Sequence, residues 1–290
     1  MRLQHIAQRE AKLLSILRRE LALSSTLLKR MKYRHAFWVN GEAVFTNFLV
    51  RPGDEVTVIL DEDTPDYPAE AGELSILYED ESFIAIDKPA GLLMHPSSSR
   101  NTGTLANYLL HYYNETGQPC AVHPISRLDR DTFGVVLLAK NAHVHARMHE
   151  QLLQGGLQKI YHAVVCGIPK EPKGLIDAPI ARREGNSLLR CIHPDGKPAR
   201  TRYRVLETRG GCALLELEPL TGRTHQLRLH CAHMGFPIAG DPQYGNDDYG
   251  LPWQQLCAVR LGFVHPLTEK FVEISAKQSV SLDFLPPSVV

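Results

Sequence analysis

From residue 74 onward the chain offers one short apolar run after another, each bounded by turn residues, and very few stretches with the spacing of a long amphipathic helix. SFIAIDK (82–88), GVVLLAK (134–140), YHAVVCG (161–167), RYRVLE (202–207), ALLELEP (213–219), VRLGFVH (259–265) and FVEISA (271–276) all read as strands. Only TLANYLLHYYN (104–114) and AHVHARMHEQLLQ (142–154) read as helices of any length. Because strands do not alternate regularly with helices, a doubly wound parallel sheet is a poor fit. The pattern predicts an α+β domain whose mixed sheet is mostly antiparallel, with flanking helices.

Ahead of that region lies DEDTPDYPAEAGE (61–73), which has no apolar period and whose like charges repel, so it reads as an exposed linker. The expected organisation is a small domain over 1–60, an acidic linker over 61–73 and a larger domain over 74–290. Formal net charge is zero, but the charge is segregated: 1–60 has ten Lys or Arg against five acids, and 61–80 has eight acids and no base. A second basic stretch, 182–209, has eight bases against three acids. Two such stretches could flank a polyanion, or each could be a solvated face.

The longest apolar run, 135–139, is far short of the roughly 20 residues of a membrane-spanning helix, and the N-terminus has no secretory h-region. A cytoplasmic protein without membrane association is expected. The six cysteines contain no C-x-x-C pair, so reduced thiols fit better than a disulfide framework.

Within 12–32, Leu13, Leu14 and Leu17 share one helical face and Leu27, Leu28 and Met31 another, with Ser24 and Ser25 placed to cap a second short helix. Asn40-Gly41 signals a tight hairpin, and RPGD a further turn before a strand. This order of helix, helix, hairpin and turn resembles the S-four-like RNA-binding domain. The resemblance implies that Lys29, Arg30, Lys32 and Arg34 meet RNA phosphates, an affinity that is mainly electrostatic. A small basic module that docks another protein would have the same pattern.

Two clusters carry most of the candidate chemistry. In SRLDRDTFG (126–134), Asp129 stands between Arg127 and Arg130, and neighbouring cations favour an ionised carboxylate, suited to a nucleophile or base; a structural ion pair would look similar. In TGRTHQLRLHCAHMGFPIAGDPQYG (221–245), Arg223, His225, Gln226, Arg228, His230 and His233 crowd into eleven positions. His230 with His233, or His145 with His149, could share a helical face. Neither pair has zinc spacing, and satisfied histidines are the default. Walker, dinucleotide and nucleophile-elbow motifs are absent from the sequence.

In order, EDESFIAIDKPAGLLMHPS, SRLDRDTFGVVLLAK, KIYHAVVCG and the 221–245 segment resemble the RluA-type pseudouridine synthases over about 74–280. The resemblance implies an isomerase that breaks the N1–C1′ bond of a uridine in RNA, rotates the base and joins C5 to C1′. It makes Asp129 the catalytic aspartate, Arg228 its ion-pair partner, Tyr161 the ring against the target base, and Arg127 the residue that occupies the space of the flipped nucleotide. Arg223 falls in the same binding segment without a separate role. No cofactor and no metal are implied. The partner is RNA, ribosomal RNA favoured and transfer RNA possible, bound by a monomer. Lys88 and Pro89 close a strand and are read as structural or as a distant RNA contact, and Leu227 and Leu229 as packing behind the arginines. The family usually has a histidine where this chain has Ser126 and a serine where it has Phe133. These departures keep open a non-catalytic RNA-binding or ribosome-assembly factor on the same fold. A hydrolytic uridine-cleaving enzyme is a third reading.

Overall fold

A computed structural model describes residues 2–31, 36–60, 65–118, 120–245 and 249–285. The chain begins with strand Arg2–Ile6, which the sequence pattern did not announce. It pairs antiparallel with Glu55–Ile59, whose other edge takes Phe37–Val39, followed by Glu42–Ala43. Helices Leu13–Arg19 and Ser25–Met31 form as expected; the Ser24 hydroxyl accepts from the Leu27 amide at 3.2 Å and so caps the second. Asn40 and Gly41 have φ of 49° and 83°, as a tight right-twisted hairpin requires. The Asn40 side chain then donates to Asp54 and accepts from the Glu55 amide, both at 2.8 Å, tying the hairpin to the RPGD turn. Leu13, Ile16, Leu17, Leu28, Val56 and Val58 are among the buried residues of a core belonging to this region alone. Burying each such side chain contributes about 1.5–3 kcal/mol.

The larger region is built on a ten-stranded sheet. Its main path runs Lys173–Asp177, Arg200–Arg209, Cys212–Pro219, Leu157–Cys166, Leu256–Val264, Phe133–Ala139, Phe83–Lys88, Ile76–Glu79. Phe271–Ser275 and His123–Pro124 add to it from the side. Every pairing is antiparallel except the short one between Phe133–Ala139 and Leu256–Val264, so the expected mostly antiparallel α+β sheet is the one found. The central strands are continuously apolar because both faces are covered. Ile84, Ile86, Val136 and Leu138 face a core with helix Leu105–Glu115, whereas Phe83, Ala85, Val135 and Leu137 face one with helix Ala142–Leu153. Thr104 and Asn141 cap those helices through side-chain oxygens.

Gly134 decides how the two halves of the sheet meet. It has φ of 102°, and a Cβ there would lie 2.3 Å from the Ala258 carbonyl oxygen, so no other residue fits the parallel junction. That junction holds the end of the Asp129 loop. The second basic stretch forms hairpin Ile180–Arg183 with Asn186–Ile192, then strand Arg200–Arg209. Arg202 and Arg204 pair across the sheet with Glu218 and Glu216, both at 2.9 Å, so much of this stretch is an ion-paired face, not an open cationic one. All six cysteines are free thiols, and no helix among the described residues is long and apolar enough to cross a membrane.

Candidate active site

Asp129 sits in the loop that leads into Phe133–Ala139, and that loop is clamped from several sides. Ser126 is buried; its amide donates to the Leu137 carbonyl at 3.2 Å and its hydroxyl accepts from the Leu137 amide at 3.1 Å. A histidine is therefore not needed to anchor the start of the loop. The Thr132 amide donates to the Asp129 carbonyl at 3.2 Å, and the Thr132 hydroxyl accepts from Gln254 at 2.5 Å. Lys88, 1% exposed, donates from Nζ to the carbonyls of Pro89 and Leu92 at 2.8 Å and of Arg130 at 2.9 Å. Burial pushes its amine down to about 7, against the pull of the Asp131 and Asp129 charges. Three acceptors use three protons, which only the ammonium has, so the bonds oppose that loss. The structural role expected of Lys88 thus has a definite form: it pins the residue after Asp129.

The sequence places Asp129 between two arginines, but Arg130 turns its planar fork onto Asp131, with both bonds at 2.8 Å. Asp129 is instead met from a distant segment. Arg228 Nη1 donates to its Oδ2 at 3.0 Å. Arg228 lies on helix Gln226–His233 and is itself held: Nε and Nη2 form a bidentate pair with Asp241 at 2.7 and 2.8 Å, and Nη2 also donates to Gln243 at 2.8 Å. The Tyr244 ring lies 5.1 Å from its guanidinium carbon. Burial works against the charge on Arg228, yet the carboxylates of Asp241 and Asp129 raise its pKa above the usual value. Asp241, fully buried, also accepts from the amides of Gln243 and Tyr244.

The turn into this helix is fixed by Gln226. Its Oε1 accepts from the Thr221 hydroxyl at 2.7 Å and the Arg223 amide at 3.0 Å, and its Nε2 donates to the Arg200 carbonyl and Thr201 hydroxyl. His225 takes the left-handed conformation, φ 58°, and sends Nδ1 to the Tyr244 hydroxyl at 2.8 Å while Nε2 stands 3.9 Å from Asp129. Burial, then the charges of Arg228 and Arg190, lower its pKa, and Asp129 pulls the other way.

Tyr161 comes from strand Leu157–Cys166, immediately after a bulge against Leu256–Val264 that re-aims the side chain. It is buried, and its hydroxyl is pushed up first by burial and then by the Asp129 charge. Lys159, two residues before it, also lines the cleft, and burial lowers its pKa. The cleft has a volume of about 380 Å³, within the range of small-ligand sites, and Arg127, Asp129, Tyr161, Arg223 and Arg228 all border it. Arg127 is exposed at the rim; Arg223, also exposed, donates to the Pro198 carbonyl at 3.1 Å. Leu227 borders the cleft as well as the core, so it does more than pack behind the arginines. His230 is buried, bonded to Thr201 and the Ala178 carbonyl.

Lys29, exposed, and Arg30, half-buried, lie on helix Ser25–Met31 in the N-terminal region and do not border this cleft. Lys32 and Arg34 fall outside the described residues. Asp241 was missed from the sequence, although it is the one acid in the otherwise basic 221–245 segment, a signal that could have singled it out.

Residues 82–233 match the model of the RNA pseudouridylate synthase family. The chain belongs to that family. An RNA pseudouridine synthase of Bacillus subtilis is 36% identical over 267 residues, covering 91% of this chain and 88% of the relative. The ribosomal large subunit pseudouridine synthase D of Nitrosomonas europaea is 36% identical over 268 residues, covering 86% and 78%. Among solved structures, human RNA pseudouridylate synthase domain containing 1 superposes with a TM-score of 0.59 at 25% identity, over 74% of this chain and 94% of that one. The matched span holds Asp129, Tyr161 and Arg228 together. This RNA pseudouridine synthase is thus an isomerase acting on RNA, as the four ordered motifs imply.

Proposed function

We propose that the cleft isomerises specific uridines of structured RNA, ribosomal RNA first, with Asp129 as the catalytic carboxylate. The observation that carries this reading is the 3.0 Å contact of Arg228 with Asp129 at the wall of a cleft that Tyr161 also lines. Three physical needs of the reaction meet there. A stacked uridine must leave the RNA, and an aromatic face such as Tyr161 returns some of the lost stacking while exposed Arg127 fills the vacated space. The carboxylate must be aimed, which Arg228 does through one N–H while Asp241 fixes its other two nitrogens. The released uracil must rotate without escaping, which a cleft walled by Tyr161, Leu227 and Arg228 favours.

The ribosomal preference rests on relatives such as the Nitrosomonas europaea enzyme, whose name states a ribosomal large subunit substrate. The N-terminal region, read as S-four-like, then anchors structured RNA through Lys29 and Arg30, and with them Lys32 and Arg34. A cytoplasmic monomer acting without cofactor fits this account. The test is tritium release from C5-labelled uridine in unmodified ribosomal and transfer RNA, followed by mapping of the modified position. Release by the wild type and none by Asp129→Ala, with RNA binding kept, is the expected result. Equal release by both proteins would remove Asp129 from the chemistry, and free uracil among the products would point to hydrolysis.

A further inference from the structure

Helix Ala142–Leu153 presents His145, His149 and Leu152 on one face, by their spacing of four and three. Leu152 borders the catalytic cleft together with Arg127. Behind it the histidines form a row: the His123 and His145 rings are 5.6 Å apart and the His145 and His149 rings 6.4 Å apart. His149 is exposed, and His123 and His145 are half-buried. No group of three His, Cys, Asp or Glu among the described residues has the geometry of a metal site, so the row calls for another explanation.

We infer that His123, His145 and His149 form a phosphate track for the RNA strand that enters the cleft, one that grips more strongly as the imidazoles take up protons. The inference rests on the proposed RNA reaction, because a uridine flipped into the cleft drags its flanking phosphates across the rim beside Arg127. The row leads away from the cleft rim, since it shares a helix face with Leu152 and His123 neighbours His95, which faces Arg127, and its rings repeat at a spacing comparable to that of successive phosphates. His95 faces Arg127 and His123, and burial, then those two charges, lower its pKa. Burial and its neighbours His123 and His149 lower the pKa of His145, against the bond its ring donates to the Pro124 carbonyl. On the same helix Arg147 is turned away to donate to the Pro266 carbonyl, and Glu150 is exposed beside His149. Protonated members of the row would repel one another, and a phosphate would offset that repulsion. Binding and proton uptake are then linked: RNA favours the charged imidazoles, and acid favours RNA.

The experiment measures affinity of the full chain for unmodified large-subunit ribosomal RNA, transcribed in vitro, at pH 6 and pH 8 across a salt series. Wild-type binding is expected to tighten by about tenfold on acidification, with a steeper salt slope at pH 6. His145→Asn with His149→Asn should lose most of that gain. His145→Arg with His149→Arg, whose cations do not titrate, should bind at pH 8 about as tightly as the wild type does at pH 6. A wild type insensitive to pH would overturn the inference. So would an Asn variant with the wild-type pH response, or an Arg variant no tighter than wild type at pH 8. Tritium release by the wild type on saturating RNA reports separately on the reaction itself.

Discussion

Two short helices of this molecule carry cations, and they use them in opposite ways. On Gln226–His233, Arg228 is buried and its nitrogens are committed to Asp241, Gln243 and Asp129. On Ser25–Met31, Lys29 is exposed at the helix end. A buried, fully engaged guanidinium is a piece of geometry, and displacing it moves the carboxylate it aims. An exposed lysine adds to a field that salt screens. Lesions in the first helix should therefore be steep and insensitive to salt, and those in the second graded and salt-dependent.

The sharpest break is Asp241→Asn. It leaves Arg228 buried with one charged partner in place of two, and removing one member of a buried pair costs about 3–5 kcal/mol. Chemical denaturation should show that loss. A change below about 1 kcal/mol would mean that the fork does not depend on Asp241. Arg228→Lys is milder in stability but strikes the chemistry. A lysine cannot hold Asp241 bidentately and reach Asp129 as well, so single-turnover tritium release should fall about 10²–10³-fold at unchanged RNA affinity. A rate within about threefold of wild type would reduce Arg228 to a point charge.

What the sequence disclosed and what it hid follow the range of the interactions. The Asn40-Gly41 hairpin, the Ser24 cap and the central strands are written in neighbouring residues, and each forms where expected. Strand Arg2–Ile6 is different: its register comes from Glu55–Ile59, far along the chain, and RLQHI on its own carries little signal. The candidate site divides the same way. Asp129, Tyr161 and Arg228 were accessible through motif order, but the partner of Arg228 lies 13 residues on, and the loop carbonyl that Lys88 binds lies 42 residues on. Sequence adjacency even misleads at Arg130, whose fork fits Asp131 and leaves Asp129 to another helix. Local chemistry names the groups; only the closed sheet decides which of them meet.

The other side of the comparison is tested by replacing Lys29, Arg30, Lys32 and Arg34 together with glutamine. RNA affinity should fall about tenfold at moderate salt and the salt slope should flatten by several charges, because each phosphate contact contributes to it. The effect should appear in KM and not in kcat. An unchanged salt slope would remove this helix from RNA binding and favour a protein-docking role for the N-terminal region.

The smallest expected effect lies between the two extremes, at a lysine that is buried yet bound by neutral carbonyls. Lys88 falls from 10.5 to about 7 in the fold, chiefly through burial. Between those values the unfolded chain binds more protons than the folded one, so Lys88 makes stability rise as pH goes from about 7 to about 10. Below the folded value both states carry the proton, and the cost of burying the charge is paid in full. The carbonyls of Pro89, Leu92 and Arg130 favour the ammonium and limit the shift, so the rise should be only about 1–2 kcal/mol. Lys88→Met removes the titrating group. Its stability should be lower overall, because the Arg130 carbonyl loses its donor, but flatter across this range when compared with wild type by denaturation at each pH. Parallel curves for the two proteins would show that Lys88 keeps its proton throughout and that three carbonyls are enough to hold an ammonium beneath the Asp129 loop.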